Sequence, residues 1–439
     1  MSIVRSSFLR NVAGTLFRQL ASGLLNLLTV ILVARILGPA GNGSYAVALL
    51  LPTLLATFLN FGVSSANVYY LASRNVDLKT ASFVTLWLSI IFSVFGLVIG
   101  TISINFSDQI FPGIDKSVLF LSLASFPFLL FLQAAGGLLQ GTQDFRAFNL
   151  TLIVPSLVTL LTTGSLAALG RLDLHSVVGC YLSGQVLGVI AAVIPIVTGR
   201  KWRQTAPACE KRLYLSRVFS YGLKAYASNV VTFFNYRADL FLVNFFLGPF
   251  AAGLYVVAMQ FAEKLWLLSQ AVSTVFLPKI AELSGNEGER QRLTPLVSRW
   301  TLLLTLFAAI CLGLIFDVVV RLLIGNEFSG ATLVLLLLLP GVVAWAPARV
   351  LANDMAGRGR PDINLYIACV IMGVNLAGNL ILIPLLGLMG AALSTLIAYC
   401  LMLVMTVRSF VRLSGVGWRE CLEIRRIDIA TGVAALSRR

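Results

Sequence analysis

Charged residues make up only 12% of this 439-residue chain, about half the share of an average soluble domain. A soluble protein of this length must coat its surface with polar groups, so a soluble fold is excluded. Disorder is excluded by the same composition, because low hydrophobicity is its signature. Histidine occurs once, at His175, which rules out a multi-histidine metal site. The cysteines are Cys180, Cys209, Cys311, Cys369, Cys400 and Cys421; they show no CxxC spacing and fall mostly in apolar runs. They read as inert thiols rather than a disulfide framework. No nucleophile–base constellation, Walker motif or metal cluster is present, so neither catalysis nor ATP hydrolysis is expected, and no cofactor. No cleavable signal peptide is expected, since the first apolar run is long and lacks a small-residue cleavage site.

What is abundant is apolar sequence: 58% of residues, with a mean hydropathy of +0.91. This composition is that of a polytopic membrane protein. Polar punctuation separates twelve apolar runs, each near the length that crosses a bilayer. They lie at about 14–34, 43–63, 81–104, 117–139, 150–170, 177–198, 219–245, 251–275, 299–320, 330–348, 364–384 and 388–408. The expected fold is all-α, because lipid cannot satisfy open backbone groups and the alternation of barrel strands is missing.

Orientation follows from Lys and Arg. With the N-terminus in the cytoplasm, 25 of the 33 basic residues fall in cytoplasmic segments. Only Arg35, Lys116, Arg171 and Arg321 fall outside, and the remaining four lie within spans. Both termini are therefore expected in the cytoplasm. The net charge of +15 follows these loops, so topology and anionic lipid headgroups account for it rather than nucleic acid. For the tail from Leu413, with Trp418, Leu422 and Ile429 among arginines, two readings stay open: lying along the membrane surface, or solvated.

The stretch Leu37-Gly38-Pro39-Ala40-Gly41-Asn42-Gly43-Ser44-Tyr45-Ala46-Val47-Ala48 recurs 210 positions later, at Leu247 to Ala258. Seven of twelve positions are identical, and each copy joins the first two spans of a six-span half. Gly-Pro ends one helix and turns the chain in a short loop. A weaker echo links Gly141–Arg146 with Gly357–Asp362. The expected organisation is two homologous six-helix lobes, 1–198 and 219–412, a basic cytoplasmic linker at 199–218 and a cytoplasmic tail at 413–439. Six is even, so the repeat is parallel, as in transporters that move one half against the other.

Chemistry must lie in the polar residues that the spans tolerate. Thr15, Arg18, Ser22, Asn26 and Thr29 are spaced 3, 4, 4 and 3, on one face of the first span. Thr53, Thr57, Asn60 and Ser64 do the same in the second. The equivalent seventh and eighth spans carry Lys224, Ser228, Thr232, Asn235 and Asp239, then Gln260, Glu263, Gln270 and Thr274. Isolated Ser and Thr commonly just join helices, at ~1 kcal/mol or less each. A charge near the bilayer centre costs ~2.5–3.5 kcal/mol even on the lenient insertion scale. Arg18, Lys224, Arg237, Asp239, Glu263 and Lys264 therefore point to water or an anionic ligand, although Lys224 equally suits snorkelling to the interface. Arg237 lies ~200° from Asn235 on an ideal helix, so it pairs elsewhere or the helix is irregular there.

The twelve spans, two lobes and LGPxxxGxYxVA turn resemble the multidrug/oligosaccharidyl-lipid/polysaccharide exporter superfamily. Within it, the chain looks most like bacterial polysaccharide-biosynthesis flippases of the Wzx type, with Gly357-Arg358-Gly359-Arg360-Pro361 as a weaker family-like feature. The resemblance implies movement of an undecaprenyl-pyrophosphate-linked glycan from the cytoplasmic to the outer leaflet of a bacterial inner membrane, by alternating access. It implies cationic cavity residues for the pyrophosphate, for which Arg18, Arg237 and Lys264 are the candidates, with Asn26, Asn60 and Glu263 as further substrate contacts. Guanidinium suits this role because it forks onto phosphate oxygens. A narrower resemblance to lipid II flippases implies sodium or proton coupling through Asp239, Asn375, Asn379 and Thr395, although position 379 is Asn where that pattern has a carboxylate.

Three rivals remain. A multidrug antiporter of the same superfamily would favour acidic and aromatic cavities, whereas the spans here hold bases and acids in comparable numbers. A membrane glycosyltransferase or polymerase would need a large external loop or paired acids; such enzymes fit better as partners. A structural scaffold would not need buried charges.

Overall fold

The computed structural model describes residues 2–198, 211–282 and 286–423; the side chains up to Arg18, and of scattered positions between 221 and 282, lie outside the description. Among the described residues there is no strand. The helices are α1 (Ser2–Leu59), α2 (Val63–Ala72), α3 (Leu78–Asn105), α4 (Ser107–Ile110), α5 (Lys116–Leu123), α6 (Phe126–Gly141), α7 (Phe145–Ala168) and α8 (Leu174–Thr198). They continue as α9 (Lys211–Glu282), α10 (Glu287–Leu323), α11 (Gly330–Gly357), α12 (Pro361–Leu386), α13 (Leu388–Ser414) and α14 (Trp418–Leu422).

Among the described residues, ten helical stretches are long and apolar enough to cross a membrane. Two of them, Gln19–Leu59 and Arg237–Gln270, each cover two of the twelve expected spans. Both long helices are broken inside the repeated motif, at Gly38 (φ 66°, ψ −175°) and Gly248 (φ 79°, ψ −179°). That backbone conformation is open to glycine and closed to residues with a β-carbon. The proline that follows starts the next helical segment, where its missing N–H is no loss. The fourth expected span is likewise two pieces, α5 and α6, parted at Ala124 and Ser125. The protein is thus an all-α, multi-pass membrane protein.

The chain divides into two compact units, Met1–Val257 with Leu323–Phe328, and Ala258–Leu322 with Ser329–Arg439. In the first, Ala66, Leu88, Ala135, Leu138, Ala192 and Ile196 form a buried core from α2, α3, α6 and α8. Tyr214 and Val218, on the opening turns of α9, join this core; 199–210 of the expected linker lie outside the described residues. In the second, Leu351, Met355, Ile371, Val407 and Phe410 hold α11, α12 and α13 together. Val416 and Cys421 belong to the same cluster, so the chain after α13 turns back onto its own unit. The guanidinium of Arg299 donates to the Glu420 carbonyl and fixes that return. The rest of the tail, from Ile424, lies outside the described residues.

The two motif copies meet inside the first unit. A β-carbon on Gly43 would overlap the Pro249 carbonyl, and one on Gly253 would overlap the Pro39 carbonyl. Glycine is required at both positions because backbone packs on backbone. Asn42 Nδ2 adds a hydrogen bond to the Gly253 carbonyl at 3.3 Å. Arg35 at the same end donates to the Leu323 carbonyl at 3.3 Å.

Candidate functional site

The polar stripe of the first span does not face one environment. Ser22 lies within 2.9 Å of the Ser156 hydroxyl and donates to the Leu152 carbonyl at 3.0 Å, tying α1 to α7. Asn26, one turn on, is exposed. Thr29 is buried and donates back to the Leu25 carbonyl. The side chain of Arg18 lies outside the described residues, as does that of Lys224. Asn60 is half-buried at the break between α1 and α2; its Nδ2 donates to Gln133 Oε1 at 3.1 Å and its Oδ1 accepts from the Ser64 amide.

Arg237 is half-buried and Asp239, two residues on, is buried. The Asp239 carboxylate accepts from the Tyr255 hydroxyl at 2.5 Å and from the Leu240 amide at 2.8 Å. Tyr255 is the tyrosine of the second motif copy, so the kink at Gly248 carries this donor back to the preceding helical segment. The hydroxyl and the amide answer part of the desolvation cost of the carboxylate. Glu263 and Lys264 are half-buried in the second unit, where Lys264 Nζ donates to Gln260 Oε1 at 3.1 Å.

Asn375, Asn379 and Thr395 do come together, within the second unit. Asn379 Nδ2 donates to Asn375 Oδ1 at 2.8 Å, and Asn375 Nδ2 reaches Thr395 Oγ1 at 3.4 Å. All three are buried, and Asn379 Oδ1 has no hydrogen-bond partner among the described residues. Gly378 packs on Ser394, whose hydroxyl donates to the Asn375 carbonyl, so small residues bring α12 and α13 close.

Two buried polar sets escape the sequence reading. In the first unit, Asn67 Oδ1 accepts from the Tyr214 hydroxyl at 2.7 Å, and its Nδ2 donates to Thr85 Oγ1 at 2.9 Å and to the Ala134 carbonyl at 3.3 Å. One amide thereby links α2, α3, α6 and α9. In the second, Asp354 is fully buried between Arg290, at 3.5 Å, and Arg358, at 2.5 Å. Thr294 donates to it at 3.1 Å, and Arg358 also pairs with Glu287 at 2.6 Å. Spacing along single helices could not assemble either set, because each joins residues of different helices; the i, i+4 pair Asp354 and Arg358 is the only part that spacing could flag. The acid at 354 also stands out among the basic residues expected on the cytoplasmic side.

Residues 32–333 match the model of the family described as "Polysaccharide biosynthesis protein". The probable low-salt glycan biosynthesis flippase Agl15 of Haloferax volcanii is 23% identical over 271 residues, 60% of this chain and 56% of that protein. The uncharacterized membrane protein MJ1068 of Methanocaldococcus jannaschii is 26% identical over 198 residues, 44% of this chain and 38% of that protein. The match thus spans about half the length of these relatives. Among solved structures, the lipid II flippase MurJ in an inward closed conformation aligns with a TM-score of 0.74 at 16% identity, covering 91% of this chain and 89% of that one. An inward-facing multidrug resistance MATE family transporter of the MOP superfamily aligns at 0.73 and 16%, covering 90% and 94%. At these identities the structures establish the fold alone, the two-lobed fold of that superfamily. The family match covers more than half of the chain, and the chain accordingly belongs to the polysaccharide biosynthesis protein family.

Proposed function

We propose that the protein is a flippase that moves a polyprenyl-pyrophosphate-linked glycan, with undecaprenyl as the lipid, from the cytoplasmic to the outer leaflet. The observation that carries this reading is Arg237, a guanidinium held half-buried in an apolar span of a polysaccharide-biosynthesis chain. A charge within a span is costly to retain, and binding an anion is the role assigned to this one. Arg18 and Arg237 meet the pyrophosphate in bidentate fashion. Asp239, buried two residues from Arg237, couples the cycle to a sodium or proton gradient. The chain performs no covalent chemistry and takes its passenger from glycosyltransferases on the cytoplasmic side. The excess of basic residues in one set of loops supports cytoplasmic termini and an inner-membrane location.

The test is transport of a lipid-linked oligosaccharide in vesicles containing the purified chain, read as protection of the glycan from an external lectin. Gradient-dependent protection is expected. Transport of cationic drugs with no glycan movement would overturn the reading in favour of a drug antiporter.

A further inference from the structure

We propose that the first unit carries a groove that seats the polyprenyl tail of the passenger, with a lysine pair at its mouth for the diphosphate. The inference rests on the flippase reading and names a site that reading does not use. Two clefts, of about 480 Å³ and 450 Å³, lie between α3, α6 and α8. Leu86, Phe131 and Val193 line both, so the clefts form one continuous groove. At one end stand Lys79, on the first turn of α3, and Lys211, at the start of α9, with the Lys211 ammonium 3.8 Å from the centre of the Phe83 ring. Among the described residues no carboxylate lines either cleft.

Length selects the occupant. Along α3 the lining runs from Lys79 to Leu97, and a helix rising 1.5 Å per residue covers about 27 Å over that stretch. The hydrocarbon core of a bilayer is ~30 Å thick, so one leaflet accounts for only about half of it. The acyl chain of a phospholipid ends where its leaflet ends. A polyprenyl chain is longer than a leaflet is thick and fills the groove to its far end. The far end is apolar apart from Ser89 and Ser93, as a hydrocarbon tail needs. The mouth offers two compact positive charges, complementary to a diphosphate. Both lysines belong to segments expected in the cytoplasm, where a lipid-linked precursor is presented. The groove is therefore the passenger's first seat, and Arg18 and Arg237 act after it.

The test uses the full chain in phosphatidylcholine nanodiscs and compares undecaprenyl diphosphate with farnesyl diphosphate, which shares the headgroup but has a short tail. Val94 lines the far part of the groove and is 60% exposed, so Val94→Trp fills space without disturbing the core. Val94→Trp is expected to weaken undecaprenyl diphosphate about tenfold and leave farnesyl diphosphate unchanged; Lys79→Gln with Lys211→Gln weakens both. Unchanged undecaprenyl affinity in Val94→Trp, or displacement by phosphatidylglycerol at equal concentration, would overturn the groove as a tail site. Glycan transport separates the two readings. Full-rate transport by Val94→Trp removes the groove and leaves the flippase standing. An unaltered chain that neither binds the diphosphate nor moves glycan removes the flippase reading and the groove with it.

Discussion

The hydroxyl of Tyr255 lies 2.5 Å from the carboxylate of Asp239, across the break that Gly248 puts in α9. The motif tyrosine thus orients the buried acid of the preceding segment. Tyr255→Phe removes the donor and keeps the ring. We expect a loss of about 1.5–3 kcal/mol in thermal or denaturant unfolding, the usual worth of a hydrogen bond to a charged group. An unchanged unfolding midpoint would mean that the hydroxyl does not support the acid.

Asp239→Asn keeps the shape and removes the charge. Transport should then depend less on the sodium or proton gradient, at matched expression. Dependence equal to that of the unaltered chain would take Asp239 out of ion coupling.

Arg237 and Arg18 should respond to substitution in a graded way. Lysine keeps the charge and loses the fork, so Arg→Lys retains part of the export; Arg→Gln loses more. The measurement is glycan display, or accumulation of the lipid-linked intermediate, in cells lacking the native protein. Full-rate export by correctly folded Arg18→Gln and Arg237→Gln proteins would make both arginines structural.

Asp354 offers a contrast, because it is buried between two arginines. Asp354→Asn leaves Arg290 without its ion-pair partner in the interior, and breaking buried pairs costs about 3–5 kcal/mol. Glu287, half exposed, holds Arg358 from the outside, and Glu287→Gln should cost far less, ~1 kcal/mol or below. Detergent melting curves of the two variants would decide the order.

Burial pushes the Cys421 thiol up to about 11, with the Glu420 carboxylate adding to the rise. The thiolate is the reactive form, so its population is small at neutral pH and grows as pH rises toward that value. In a chain whose other cysteines are serine, maleimide should leave Cys421 unmodified at pH 7 until α14 is released, for instance by Arg299→Ala. Rapid labelling of the folded chain would show that the tail does not pack as described.

The spans were legible because apolar runs of bilayer length admit one structure, and the Gly-Pro breaks were legible because they recur. Asn375 and Asn379 could be paired in advance because they share a helix face; Thr395 joined them only through the resemblance to lipid II flippases. The environment of a stripe was not legible. Helical spacing puts Ser22 and Asn26 on one face, yet Ser22 meets α7 and Asn26 is exposed. Asp354 went unnoticed for a related reason: Arg290 is 64 positions away, and only the packing of α10 on α11 joins them.

The paired contacts of Gly43 with Pro249 and Gly253 with Pro39 have the form of an isologous interface, in which one surface meets a second copy of itself. Two separate copies would need enough buried area to meet the entropy of association. On a single chain the partner is supplied at a high effective concentration by the covalent connection. The contact can then be small, two glycines against two carbonyls with one hydrogen bond from Asn42, and still form.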